Sequence, residues 1–421
     1  MTPLLLPLLL TPQVPPPAQD PATAIRAADL EARIGFLASD ALEGRESGRT
    51  GGRAAAQYFA REWQRLGLKP IGPEGSYLLP FRIDRELTGF NTAGLLPGTD
   101  PGLADQVLVI GGHHDHCGIG GPGAMGFPGE IHNGADDNAS GSAGVAELAE
   151  WFVAHPIRRP ILFMTFDAEE RGLLGSAAFV RSGPLARDRI WAMINMDMIG
   201  RSGDGYLFVG GLGTAEEFHE LLDPVLARSG LRLESKDPGE APSDNSSFFL
   251  AGIPSLFFFT NVHEDYHMPS DDADKIDYPG EVKILELIRD CVLALDRRDG
   301  PLTFRDERGM AMPDDFWKRN NEHMRRVFER QRRRGRLGLS VAEAEDGEDL
   351  GGLRITRVRE DSGAAAAGLA AGEILVEVAG RPVASRNDLR RALGGRLKGE
   401  KVEVAVRGAD GALRRVEVEL G

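Results

Sequence analysis

The sequence predicts a mixed α/β fold, with a mostly parallel β-sheet flanked by helices, followed by a small β-rich domain. Short apolar runs alternate with amphipathic stretches from Val107 onward, which is the rhythm of βαβ units. A basic segment breaks that rhythm after residue 300, and from Arg336 the chain returns to short β patterns with Gly turns and one helix. At 421 residues the chain has length for two or three domains. Its 42% hydrophobic and 27% charged residues exclude wholesale disorder and a polytopic membrane protein. The net charge of -15 argues against a nucleic-acid partner, because it repels a phosphate backbone. Two cysteines, Cys117 and Cys291, make neither a disulfide framework nor a CxxC knuckle, and leave the redox compartment open.

Residues 1–24 read as a signal-like leader. Met1 to Leu10 is apolar, no Lys or Arg precedes Arg26, and Ala22-Thr23-Ala24 offers a small-x-small cleavage pattern. Export to the periplasm or medium is expected, against the plainer readings of a Pro-rich leader or a misplaced start codon. No other run approaches the ~20 apolar residues that a membrane crossing needs. Helical patterns span Leu30 to Leu37 and Gly52 to Leu66, with Glu43 to Gly51 between them as a lid or edge. The strand VLVIGG, a helix from Ser140 to Ala154, ILFMTF, a helix from Leu173 to Val180 and WAMINM follow. GYLFVGG, a helix from Ala215 to Arg228, the strand IPSLFFFT and a helix from Tyr278 to Leu295 complete one domain over 25–300. Residues 301–335 read as a basic linker, helical because Trp317, Met324, Val327 and Phe328 recur at helical spacing. Residues 336–421 form the last domain.

Acids and histidines gather where the strands end: His113-His114-Asp115-His116 after VLVIGG, Glu169-Glu170 after ILFMTFDA, and Asp197 at the end of INMD. Asp136-Asp137 precedes a helix, and His267 follows IPSLFFFT and its loop. Ligand sites in open α/β sheets collect at the carboxyl ends of strands, so these clusters converge on one rim. Imidazole and carboxylate without thiolate suit zinc, manganese or cobalt, and a bridging carboxylate suggests two ions. Two such ions polarise a carbonyl for hydrolysis, while one unligated carboxylate takes the proton of water. Each cluster alone has a plainer reading. Asp136-Asp137 caps a helix, Glu169-Glu170 is a solvated turn, His267 is a surface histidine, and His113, His114, His116 and His132 form an adventitious site.

The motifs GGHHDHCG, HNGADDNASG, FDAEERGLLGS, INMDMIGR and YHMPSDD resemble those of the M28 family of zinc metallopeptidases, in order and spacing, over roughly Leu30 to Leu295. The resemblance implies the zinc exopeptidase fold, with His113 and Asp197 on one zinc, Glu170 and His267 on the other, and Asp136 bridging. It makes Glu169 the general base. Asp115 would orient His113 and Asp271 would do the same for His267. Asp137 would follow the bridging residue across a cis peptide. Ser243-Asp244-Asn245 departs from the family's Ser-Asp-His, and no Tyr lies just upstream, which leaves the oxyanion-stabilising residue unassigned, with Tyr266 a candidate. Cys117 adjoins the site as a packed or spectator thiol.

The C-terminal segment resembles a PDZ domain: Arg336-Leu337-Gly338-Leu339 is similar to the carboxylate-binding loop, and SGAAAAGLAAGEILVEVAGRPV to the central segment, with Glu373 in place of Asp. Leu337, Gly338 and Leu339 would receive a peptide's C-terminal carboxylate, with Ser385 to Leu393 as the groove helix. A packing-only role is the alternative, and Arg390-Arg391 reveals no selectivity. The expectation is a two-zinc aminopeptidase acting on peptides or proteins with a free N-terminus. The alternatives are a carboxypeptidase, a glutaminyl cyclase-like enzyme, or a noncatalytic PDZ-bearing binding protein on a peptidase scaffold.

Overall fold

The structure, a computed structural model, describes residues 24–127, 129–343 and 350–421, so the leader expected at 1–24 lies, but for its last residue, outside the described residues. The described chain divides into two compact units. One comprises residues up to His116, Asn133–Asn261 and Asp271–Asp314; the other comprises Cys117–His132, Val262–Ser270 and Asp315–Gly421.

The first unit is built on a nine-stranded sheet. Its strands are β1 (Lys69–Pro70), β2 (Leu78–Arg82), β3 (Thr88–Leu96), β4 (Val107–His113), β5 (Ile161–Phe166), β6 (Ile190–Met196), β7 (Tyr206–Gly210), β8 (Arg232–Lys236) and β9 (Ser255–Phe259). The order is β1-β3-β5-β4-β6-β9-β7-β8, with β2 paired to β3. The centre β5-β4-β6-β9 is parallel, and antiparallel pairs flank it on both sides. A parallel centre needs both faces covered, which is why all seven residues of β4 are buried. Its side chains alternate accordingly. Leu108 and Ile110 join the larger core with α1 (Ala27–Leu37), α2 (Thr50–Arg65), α3 (Gly141–Ala154), α5 (Phe218–Leu226) and α7 (Tyr278–Asp296). Val107 and Val109 join the smaller core with Phe179 of α4 (Leu174–Ser182) and Phe248 of α6 (Asn245–Phe249).

Two expected helices are shorter than their patterns. The helix α5 starts at Phe218 instead of Ala215, because Ala215 pairs with Phe304 as an isolated bridge. In the linker only α8 (Phe316–Arg332) is helical, since Pro301 and Pro313 and the extended bridges at Phe304 and Met310 hold the preceding stretch open. No helix among the described residues is long and apolar enough to cross a membrane.

In the second unit a six-stranded sheet runs β10 (Leu339–Ala342), β11 (Leu353–Val358), β12 (Ile374–Val378), β14 (Lys401–Arg407) and β15 (Leu413–Glu419), with β13 (Arg381–Pro382) paired to β12. All its pairs are antiparallel. Leu353, Ile355, Leu375, Val404 and Val418 fill its core beside α9 (Gly363–Ala366) and α10 (Arg386–Ala392). Glu373, standing where the PDZ pattern has Asp, accepts from Arg414 and from the Ala370 N–H, so the longer acid still closes its turn.

Candidate metal centre

His113 ends β4, so the sheet itself delivers a buried imidazole to the carboxyl edge of the parallel strands. Its Nε2 lies 3.3 Å from Asp137 Oδ1, 3.5 Å from Asp197 Oδ1 and 4.0 Å from Glu169 Oε2. Its Nδ1 meets the backbone carbonyl of Asp115 at 3.1 Å, a contact that selects the tautomer whose Nε2 lone pair faces the carboxylates. The Asp115 carboxylate stands beside this ring and also holds a turn. It accepts from Ser47 Oγ at 2.8 Å and from the Glu169 N–H at 3.1 Å, so it pins the Glu169-Glu170 turn, and its oxygen lies 3.6 Å from the ring.

The adjacent pair Asp136-Asp137 resolves one residue away from the expectation. Asp136 Oδ1 accepts the Gly200 N–H at 2.7 Å and the Ser140 hydroxyl at 3.1 Å, which ties it into the fold. The carboxylate facing His113 is that of Asp137, and the cis peptide joins Asp137 to Asn138. Asp137, and not Asp136, is thus the residue that faces the imidazole and precedes the cis bond. Asp271 Oδ2 accepts both the Asp136 and Asp137 N–H groups, at 3.0 and 3.1 Å, and so shapes this turn.

Glu169 and Glu170 follow β5 through Ala168, whose left-handed φ of 60° turns the chain. They part at once: Glu169 stands by His113, while Glu170 Oε1 meets His116 Nδ1 at 2.8 Å, with Asp137 Oδ2 3.9 Å from the same nitrogen. Asp197 follows β6, and its Oδ2 accepts from Ser243 Oγ at 2.6 Å. Asn245, in the position where the resemblance would put His, donates to the Gly239 carbonyl and packs as a structural residue.

Of the four clustered histidines, two belong to the site. His114 meets Thr165 Oγ1, and burial pushes its imidazole down to about 3, so it stays neutral. His132 holds the Glu130 and Met125 carbonyls through its two ring nitrogens. His267 lies in the second unit, at a left-handed φ of 55°, with its ring stacked on Tyr266 and its Nδ1 on the Gly123 carbonyl at 3.0 Å. That bond fixes the tautomer in which Nε2 can ligate.

Sequence reasoning missed two supports. Arg45 is fully buried and donates to the carbonyls of Leu37, His114, Asn133 and Gly134, so it brackets the two loops that carry His113 and Asp137. Burial, opposed by Asp137 and Asp115, pulls its guanidinium down to about 10. His116, counted in the cluster but given no role, holds Glu170. The four histidines closely spaced in sequence offered a signal for His116, and nothing in the aperiodic stretch around Arg45 distinguished it.

The site is short of positive charge. Burial raises the pKa of Glu169 and of Asp197 although His113 opposes this, and it pushes that of Asp244 up to about 7. His113 rises well above its usual range because Glu169 and Asp197 outweigh its own burial. One imidazole nitrogen with oxygens of Glu169 and Asp197, all within 4.8 Å of one another, is a donor set that a divalent cation satisfies.

The model of peptidase family M28 matches residues 91–292, and that of the PDZ domain matches residues 335–420. A probable leucine aminopeptidase of Arthroderma otae is 29% identical over 188 residues, 42% of this chain and 50% of that protein. Leucine aminopeptidase 1 of Neurospora crassa is 29% identical over 197 residues, 43% of this chain and 47% of that protein. The match thus spans about half the length of these curated relatives. Among solved structures, the zinc aminopeptidase BSAP from Bacillus subtilis superposes with a TM-score of 0.53 at 18% identity, over 68% of this chain and 100% of that one. Glutaminyl cyclase of Porphyromonas gingivalis gives 0.54 at 18% identity, over 66% and 99%. At that identity the two structures share the fold. Residues 91–292 thus match peptidase family M28, and residues 335–420 match the PDZ domain.

Proposed function

We propose that this protein is a two-zinc exopeptidase, an aminopeptidase that removes N-terminal residues from peptides or proteins. The observation that carries the reading is His113 Nε2 facing Asp137, Asp197 and Glu169 at the carboxyl edge of the sheet. His113 and Asp197 would hold one ion and Glu170 the other, with Asp137 between them and His267 assigned to the second by its motif. Manganese or cobalt suits the same donors. Bound there, the ions supply Lewis-acid polarisation of the scissile carbonyl.

The chain's own residues do the rest. Ser243 fixes the rotamer of Asp197 through its 2.6 Å bond, and His116 fixes that of Glu170. Glu169 Oε2 takes a proton from the attacking water and gives it to the departing amine nitrogen, so the carboxylate is regenerated each cycle. The turn that places it is held by the Asp115 carboxylate through the Glu169 N–H. The names of the relatives support leucine-type N-terminal residues as substrates. Export is proposed from the leader alone.

The test is hydrolysis of a panel of free and N-acetylated leucyl peptides by the purified chain, with and without chelator. Cleavage of free peptides only, abolished by chelator and restored by zinc, is expected. Cleavage of N-blocked peptides at equal rate, or activity indifferent to chelator, would overturn the reading.

A further inference from the structure

His267, which its motif assigns to the second ion, is gripped by a loop of its own unit. The Gly123 carbonyl accepts from its Nδ1 at 3.0 Å, and its own carbonyl accepts the Met125 N–H at 2.8 Å. Gly123 to Met125 thus form a hook on both the ring and the backbone of one residue. The hook is tied in turn, because His132 holds the Met125 carbonyl with Nε2 at 2.8 Å and the Glu130 carbonyl with Nδ1 at 3.0 Å. A cleft of about 360 Å³ borders it, lined by Ala124, Met125, Phe127, His132, Gln331 and Arg334. Packing therefore covers the hook incompletely, and polar ties carry more of its position.

Those ties end on α8 and on the PDZ domain. Glu130 Oε2 accepts the Phe127 N–H at 2.6 Å, and its Oε1 accepts from Arg330 Nη2 of α8 at 3.0 Å. The Glu130 side chain is 8% exposed and that of Arg330 33%, so the pair is largely shielded from water. The Arg330 guanidinium also lies 4.8 Å over the Phe127 ring, with that of Arg334 at 5.9 Å. Gly126 stands among these groups at a φ of +126°, where a Cβ would come within 2.8 Å of Glu130 Oε2, 3.0 Å of Pro269 and 3.3 Å of Arg330. Pro269 follows His267 by two residues, so the same knot touches the ligand's own segment. Beyond it, Gly129 lies against the backbone of α10, where a Cβ would stand 2.4 Å from the Arg390 carbonyl carbon.

We propose that Glu130 and Arg330 are positioning residues for His267, a latch through which α8 and the PDZ domain set the ligand of the second ion. The inference rests on the two-zinc reading for that ion, while the latch itself is open to a test without metal. His267 keeps its tautomer and ring direction while the hook holds the Gly123 carbonyl in place, and the hook hangs on the Glu130–Arg330 pair. The C-terminal unit thereby takes part in metal binding instead of merely following the peptidase domain in sequence.

The test uses the full chain with Arg330→Met, which keeps an apolar stem on the helix and loses the charge, and Arg330→Lys, which keeps a cation for Glu130. Two measurements read it: hydrogen exchange of the metal-free chains, followed on peptides covering 117–132 with 141–154 as the control for general loosening, and calorimetric titration with zinc. Arg330→Met is expected to speed exchange over 117–132 by at least about tenfold with 141–154 unchanged. It is also expected to weaken the second zinc about tenfold and to leave the first unaltered. Arg330→Lys is expected to lie closer to the parent than to Arg330→Met in both readouts. Exchange over 117–132 equal to that of the parent would overturn the latch, whatever the chain hydrolyses. Faster exchange with an unaltered second zinc would overturn its reach to His267. A parent chain that binds no second zinc would sink the two-zinc reading alone, and the exchange measurement would still decide the latch.

Discussion

Exchanging Asp136 and Asp137 for asparagine, one at a time, separates the carboxylate that holds metal from the one that holds the fold. Asp136 Oδ1 accepts two hydrogen bonds, at 2.7 Å from Gly200 and 3.1 Å from Ser140, in a fully buried setting. Asparagine keeps the acceptor oxygen but loses the charge, which lowers each bond from about 1.5–3 to about 0.5–1.5 kcal/mol. Asp136→Asn should therefore cost about 2–3 kcal/mol, a fall of about 4–10 °C in thermal midpoint for a unit of this size, and leave metal content unchanged. Asp137 faces His113 Nε2 at 3.3 Å among other carboxylates, so its neutralisation should change metal-free stability by less than about 1 kcal/mol. Loss of a direct ligand should weaken metal binding beyond the about 10–100-fold that an outer hydrogen-bond partner costs. The assay is urea unfolding of chelator-treated protein beside metal analysis after dialysis against one zinc buffer. An Asp136→Asn protein that loses metal while Asp137→Asn keeps it would refute the reassignment.

Three further outcomes follow from the same geometry. Glu169→Gln should keep its metal yet lose about 10²–10⁴-fold in turnover on a leucyl reporter, and an unchanged rate would remove Glu169 as the base. Ser243→Ala should free Asp197 and weaken zinc about 10–100-fold with little change in thermal midpoint, read by competition with a chromophoric chelator. In the buried cluster of Arg33 with Glu62, Glu147 and Glu150, burial dominates over Arg33 and pushes Glu147 up to about 7. The folded state then holds this proton more tightly than the unfolded chain. Stability should fall by about 3 kcal/mol as pH rises from about 4.5 to about 7, and Glu147→Gln should flatten that part of the urea-midpoint profile.

Much of the site was legible because parallel strands end in chemistry: His113, Glu169 and Asp197 each follow a run that could only be a buried strand. The choice between Asp136 and Asp137 was not legible. Two adjacent acids in a polar loop carry no periodicity, and the backbone turn from Ala135 to Ser140 decides which one faces the imidazole. Arg45 escaped for a related reason. It sits after Gly44 in a left-handed stretch at φ 50°, where neither helix nor strand period applies, and its value lies in carbonyls far away in sequence. Asp115 and Asp271 were found as supports, but the backbone N–H groups that each also accepts from are not displayed by a sequence of side chains. The grouping of Cys117–His132 and Val262–Ser270 with the C-terminal unit was invisible because no composition break marks either segment.

Titration of the metal-stripped chain with zinc, following heat and hydrolysis of a free leucyl peptide together, tests the central claim most directly. The account predicts that activity appears with the ions and stops rising at about two equivalents per chain, with the N-acetylated peptide untouched throughout. Full activity at one equivalent, or zinc binding with no hydrolysis of free peptides, would contradict it.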